Sequence, residues 1–168
     1  MTKPQDVLVA LKLFLVRAEG TYAELAKELG MSASEVYAAV KRLEKARLIE
    51  SGSRRVRLKA LREFLNHGVP HVFPAEIGAP TRGVPTAWGA PVLKALMSGN
   101  EKDIPVWPDP NGKHRGAALD PLYRSAPRAA KNDAQLYDLL SLVDALRSGR
   151  ARERNLASKE LASRLTHG

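Results

Sequence analysis

The chain contains no cysteine, which removes disulfides, thiolate zinc sites and cysteine nucleophiles together. Aromatic residues are sparse, at 5% of 168 residues, although 44% of the chain is hydrophobic and supports a real core. Acidic residues are also scarce: 18 stand against 27 basic ones, for a net charge of +9 and an isoelectric point near 10.0. Such an excess favours an anionic partner, whether nucleic acid, an acidic protein or an anionic surface. No apolar run approaches the roughly 18 residues of a spanning helix. The opening MTKPQDVLVALKLFLVRAEG is broken by Asp6, Lys12 and Arg17, with no small-residue cleavage pattern after it. A signal peptide and a membrane partner are therefore not expected, and the expected location is the cytoplasm.

Catalytic signatures are missing as well. The sequence has no G-x-S-x-G elbow, no phosphate-cradling G-x-x-x-x-G-K-[ST] and no H-E-x-x-H. His67, His71, His114 and His167 are scattered; the first two are four apart, but Gly68 and Pro70 between them argue against the helical geometry that would converge both on one metal. Asp103, Asp109 and Asp120 lie in a loop-rich region without an evident base or nucleophile. The chain is not expected to be an enzyme, and no catalytic residue, metal or cofactor is assigned.

Proline divides the chain into three zones. Residues 1–67 hold only Pro4, at a helix-start position; residues 68–131 hold the other ten of eleven; residues 132–168 hold none. In the first zone Val7, Leu8, Leu11, Phe14 and Leu15 follow helical spacing, with an end expected near Glu19–Gly20. Thr21 with Glu24 forms a capping box for a helix over 22–29, which Gly30 stops. Ser32 with Glu35 repeats the device for a helix running to about Arg47, with Val36, Val40 and Leu43 inward. Leu48–Glu50 and Arg54–Leu58 read as two short strands around Ser51-Gly52-Ser53, and a helix with Leu61, Phe64 and Leu65 follows.

The stretch GTYAELAKELGMSASEVYAAVKRLEKARLIESGSRRVRL resembles the winged helix-turn-helix of MarR-like bacterial regulators. The likeness rests on Ala26, the Gly30 turn, Val36, Val40 and Leu43, and the passage RLEKARLIE from recognition helix to wing. It implies a double-stranded DNA partner, with the second helix entering a major groove roughly 12 Å wide. With the apolar positions turned inward, the expected DNA-facing residues are Ser32, Ala33, Ser34, Tyr37, Ala38, Lys41, Arg42 and Lys45, with Arg54, Arg55 and Arg57 on the wing. Ser34 and Tyr37 are placed for base edges and Lys41 for phosphate or guanine; Ala33 and Ala38 offer only contact to thymine methyls. Residues 41–62 hold nine basic side chains against Glu44 and Glu50, nine minus two or +7, so most of the excess charge lies where a phosphate backbone would pass.

The middle zone, with GVPHVFPAEIGAPTRGVPTAWGAPVL, is too rich in Pro and Gly for a long helix, yet carries Val72, Phe73, Ile77 and Trp88. It is expected to be ordered, irregular and packed on the first zone. A short helix is expected over 91–98, ending at Gly99. A hairpin of 104–107 with 114–119 is expected around Asp109-Pro110-Asn111-Gly112, since Asn-Gly favours a tight turn. Trp88 and Trp107 are read as core, in preference to an effector pocket that they would line together with Arg82.

In the last zone Asn132 with Gln135 resembles a capping box, and Leu136, Leu139, Leu140, Val143 and Leu146 form an apolar stripe stopped at Ser148-Gly149. A final helix covers roughly 150–165. The stripe packs either on the first helix of the same chain or on a second copy; a homodimer is the favoured expectation, because regulators of this kind bind paired half-sites. The strings TRGVPTA, VWP…GAALDPLY and DALRSGRARERNLASKEL are similar to winged-helix proteins encoded beside nucleotidyltransferase-type toxins, and that likeness implies an antitoxin that binds a toxin-like enzyme partner. The expected fold is mainly α with a small β-wing: a DNA-binding domain over 1–67, a Pro-rich segment over 68–131 and C-terminal helices over 132–168. The expected function is a sequence-specific transcriptional repressor, the alternative being the antitoxin-like interaction protein.

Overall fold

Helix α1 (Pro4–Leu15) is apolar nearly all round, and Val7 through Leu11 and Leu13 are fully buried. A helix of that kind needs neighbours on every side, and it has them: in the computed structural model, which describes residues 1–97 and 103–167, α1 lies between the next helices and the C-terminal ones. It stops short of the expected Glu19–Gly20 because Arg17 and Ala18 turn left-handed, at φ 55° and 62°. Its two buried charges are answered from a distance. Asp6 receives Arg42, and Lys12 lies 2.9 Å from both Glu28 and Asp133.

Helices α2 (Tyr22–Leu29) and α3 (Ala33–Lys45) follow. Arg47, at φ 61°, then diverts the chain before its expected end in α3. The hairpin after it is shorter than its sequence suggests: Ile49 and Val56 form a single bridge, with Arg57 N–H donating to the Leu48 carbonyl at 2.9 Å and Glu50 N–H to the Arg55 carbonyl at 2.8 Å. No second strand extends to Leu58, because that residue already begins α4 (Leu58–His67). A four-residue α5 (Val69–Val72) continues beyond Gly68. Gly68 and Pro70 therefore do not abolish helical backbone around His67 and His71, since Pro70 sits in a first turn where its N–H is not needed.

The Pro-rich zone is more regular than its composition implies. Strand β1 (Ile77–Pro85) leads through a 3₁₀ turn at Ala87–Gly89 to α6 (Pro91–Lys94), then β2 (Pro105–Pro108) and β3 (His114–Leu119). The expected stop at Gly99 lies outside the described residues; the helix itself ends at Lys94. The three strands close into a small barrel. The first part of β1 pairs antiparallel with β3, from Ile77 opposite Leu119 to Gly83 opposite His114, and its last part pairs antiparallel with β2, from Gly83 opposite Pro108 to Pro85 opposite Val106. β2 and β3 run parallel, Pro105 opposite Ala117, so the expected hairpin around Asn111-Gly112 is not formed. Neither residue has the positive φ that a two-residue type I′ turn requires. The closure depends on Gly83, where any Cβ would run into the Trp107 carbonyl oxygen.

Helix α7 (Ala126–Lys131) then leads to α8 (Ala134–Ser148) and α9 (Ala151–Arg164). The cap of α8 is Asp133, whose carboxylate accepts from Leu136 N–H at 3.1 Å; Asn132 instead closes α7. The α8 stripe is consumed within the chain, with Leu136, Leu139, Leu140, Leu142, Val143 and Leu146 all in the core. Asp144, fully interior, gathers the barrel onto this helix: it accepts from Trp107 Nε1 at 2.8 Å and Thr86 Oγ1 at 2.7 Å and pairs with Arg147 at 2.7 Å. Trp107 is thus a core residue with its polar edge satisfied. The architecture is mainly helical with one small three-stranded sheet.

Candidate nucleic-acid interface

The site is built on two consecutive capping boxes. Thr21 Oγ1 accepts from Glu24 N–H while Glu24 accepts from Thr21 N–H; Ser32 and Glu35 repeat the exchange, with Glu35 N–H at 3.1 Å from Ser32 Oγ. Each box satisfies two helix-end donors and fixes where its helix begins. Between them Gly30 adopts φ 66°, ψ 34°, the left-handed corner that a side chain disfavours. Ala26, Leu29, Val36, Ala39, Val40 and Leu43 bury the inner faces of both helices. Helix α3 is thereby held with its other face outward.

That outward face carries Ser34, Tyr37, Lys41 and Lys45, all exposed, with Ala33 exposed and Ala38 half-buried. Tyr37 is 50% exposed and rests edge-on against Tyr22, ring centroids 5.5 Å apart. Lys41 Nζ lies 5.3 Å from the Tyr37 ring and 3.4 Å from Glu44, whose charge holds the Lys41 ammonium above its ordinary pKa. The cation stays protonated at the surface. Ser32 Oγ is occupied by the cap and by Ser34 Oγ at 3.1 Å.

Two residues assigned to this face from sequence are held by the protein itself. Arg42 grips the buried Asp6 carboxylate, Nε at 2.9 Å and Nη2 at 2.8 Å, and ties α3 to α1. Arg54 folds back so that Nη2 donates to the carbonyls of Ala18 and Gly20 at 2.8 and 2.7 Å, with its guanidinium over the Tyr22 ring. Arg42 thus fastens α3 to α1, and Arg54 fastens the wing to the entrance of α2. Arg62 is also occupied, donating to the Leu165 carbonyl at 2.7 Å. Among the described residues, the side chains of Lys45, Arg47, Arg55, Arg57 and Lys59 have no acceptor; Lys45 continues the outward row of α3, whereas Arg55 lines a cavity with Leu13, Phe14, Gln135, Leu139 and His167.

This arrangement can insert a helix flanked by cations into a groove lined by phosphates, and the sequence comparison agrees. Residues 18–50 match the winged helix-turn-helix DNA-binding family model. No curated protein and no solved structure matches the chain. The winged helix-turn-helix match supports a DNA-binding regulator and covers α2, α3 and the first arm of the wing. One group near it escapes a reading of the sequence: Arg124, from just before α7, reaches Glu35 at 3.3 Å. No local spacing signals it, because the two residues are 89 apart.

Proposed function

We propose that the chain is a sequence-specific double-stranded DNA-binding transcription regulator that acts as a repressor. The observation that carries this reading is the exposed row Ser34, Tyr37, Lys41 and Lys45 on a helix started by a capping box, together with the exposed, acceptor-free Arg55 and Arg57 of the wing. Ser34 and Tyr37 read base edges; Lys41, Lys45, Arg55 and Arg57 hold phosphates. Arg42 and Arg54 are scaffold in this reading. A two-fold pair of copies on adjacent half-sites fits the class; since the α8 stripe is internal, such a pair uses another surface.

The test is selection of bound duplexes from a random pool, then fluorescence anisotropy on the winner across a salt series. Lys41→Ala with Arg55→Ala and Arg57→Ala should weaken binding to all sequences and reduce the salt slope by about 0.9 for each phosphate no longer neutralised. Ser34→Ala with Tyr37→Ala should change the preferred sequence. Wild-type affinity and slope in the triple variant would defeat the assignment.

A second reading, an antitoxin-like protein that binds an enzyme partner, has its own observation. Arg82 and Arg115 stand directly opposite each other on β1 and β3, both exposed and neither with an acceptor among the described residues. Like charges in register destabilise a sheet, and an acidic protein surface would relieve them. The exposed Ile77 on β1 adds an apolar anchor. Co-expression with the product of the adjacent gene should yield a complex that Arg82→Glu with Arg115→Glu dissolves; a complex indifferent to that change, or none, removes this reading.

A further inference from the structure

Successive residues of an α-helix turn by about 100°, so α3 presents Ser34, Lys41 and Lys45 along its outward line, Tyr37 and Glu44 to one side, and Glu35 and Arg42 to the other. The Tyr37 side belongs to the wing, through Tyr22 and Arg54. The Glu35 side has no wing, and its own cation, Arg42, is spent on Asp6. A helix lying in a major groove has a sugar-phosphate strand along each side. On the Glu35 side α3 alone would offer that strand a carboxylate.

The C-terminal half supplies what is missing. The Arg124 Nη2 lies 3.3 Å from Glu35 Oε1, its guanidinium sits 4.7 Å from the Tyr123 ring centroid, and its side chain is 72% exposed. The start of α7 is wedged against the helix-turn-helix corner: Ser125 Cβ lies 3.2 Å and Arg128 Cδ 3.8 Å from where a Cβ on Gly30 would stand. Arg128 is exposed there and has no acceptor among the described residues. A guanidinium has five N–H donors, so Arg124 can mask Glu35 and still donate to a phosphate.

We propose that Arg124 and Arg128 form a second phosphate-binding flank, which holds the DNA backbone on the side of α3 opposite the wing. The DNA-reading surface is then completed by a segment far outside the winged helix-turn-helix itself, and the C-terminal half is part of the binding machinery. This inference rests on the DNA-binding reading above.

The test measures the full chain against its selected duplex across a salt series, with Lys41→Ala as the reference variant and thermal midpoints as the folding control. Arg124→Gln with Arg128→Gln should weaken binding several-fold and reduce the salt slope by about 2, at roughly 0.9 per phosphate, without changing the preferred sequence. A slope unchanged by this pair but reduced by Lys41→Ala overturns the flank and leaves the DNA-binding reading intact; no duplex binding by the wild type removes both. Glu35→Gln, which keeps the capping chemistry, separates masking from direct phosphate binding. In that background Arg124→Gln should still weaken binding, and no further weakening there would reduce Arg124 to a neutraliser of Glu35 and overturn its role on the phosphate.

Discussion

The helix-turn-helix corner and the small barrel are both tight constructions that hinge on a glycine, but for different reasons. At the corner Gly30 is needed for its own backbone angle, and residues within a few positions of it fix everything else: Thr21, Glu24, Ser32 and Glu35. At the barrel Gly83 is needed because another strand occupies the space of its side chain. The first requirement is set by the local backbone angle, with the distant Ser125 Cβ adding only a side-chain contact at 3.2 Å, whereas the second is imposed by the backbone of another strand. The contrast predicts unequal costs for the same substitution. Gly30→Ala should cost about 1–2 kcal/mol, the penalty of a left-handed residue with a Cβ. Gly83→Ala should cost more, about 3 kcal/mol at the upper end of overpacking, because backbone cannot move aside as a side-chain tip can. Urea denaturation of both variants checks this, and equal losses would erase the distinction.

The same distinction explains which features are legible in the sequence. The bounds of α2 follow from Thr21, Glu24 and Gly30 because every determinant lies inside a dozen residues. The outward row of α3 follows from the positions of Val36, Val40 and Leu43. The fates of Arg42 and Arg54 do not, because their acceptors, Asp6 and Ala18, each lie 36 residues upstream. A basic residue on a predicted surface reads as a phosphate ligand until its partner is known. The Asn111-Gly112 signal misleads for a related reason. It describes a local turn, whereas the pairing of β2 and β3 is dictated by β1, which pairs with both of them. β1 itself is hidden by Gly78, Pro80, Gly83 and Pro85, residues that weaken an ordinary strand.

Where α1 and α2 meet the start of α8, a further long-range contact of the corner can be tested with pH. Burial pushes the Asp133 carboxyl up, but the Lys12 hydrogen bond, the Leu136 N–H and the Lys12 charge outweigh it and leave it below the usual range. Burial likewise lowers the Lys12 ammonium, but hydrogen bonds to Asp133 and Glu28 raise it overall. A carboxyl depressed in the folded state contributes stability above its unfolded pKa of about 3.9 and loses it as pH falls through the folded value. A raised lysine contributes below about 10.4 and loses it as pH rises through the folded value. Asp133→Asn keeps an N-cap side chain while removing the charge. It should cost about 1.5 kcal/mol at neutral pH, a typical value for a charge-assisted hydrogen bond. Stability of the variant should then fall less steeply than wild type at acid pH, as measured by denaturation at a series of pH values; parallel curves would show that the joint is not electrostatic.

The smallest predicted effect compares the cap at the corner with the start of α8. Ser32→Ala removes an acceptor that Glu35 N–H uses at 3.1 Å and should cost about 1 kcal/mol. Asn132→Ala, at the residue whose spacing to Gln135 resembles a capping box, should stay within about 0.5 kcal/mol, since Asp133 performs that role for α8. Thermal melts of the two variants decide it. If Asn132→Ala proves the costlier, the start of α8 is set differently from the geometry described. If the order holds, α3 is started by the hydroxyl of Ser32 and α8 by the carboxylate of Asp133, and the Asn132–Gln135 spacing carries no capping energy.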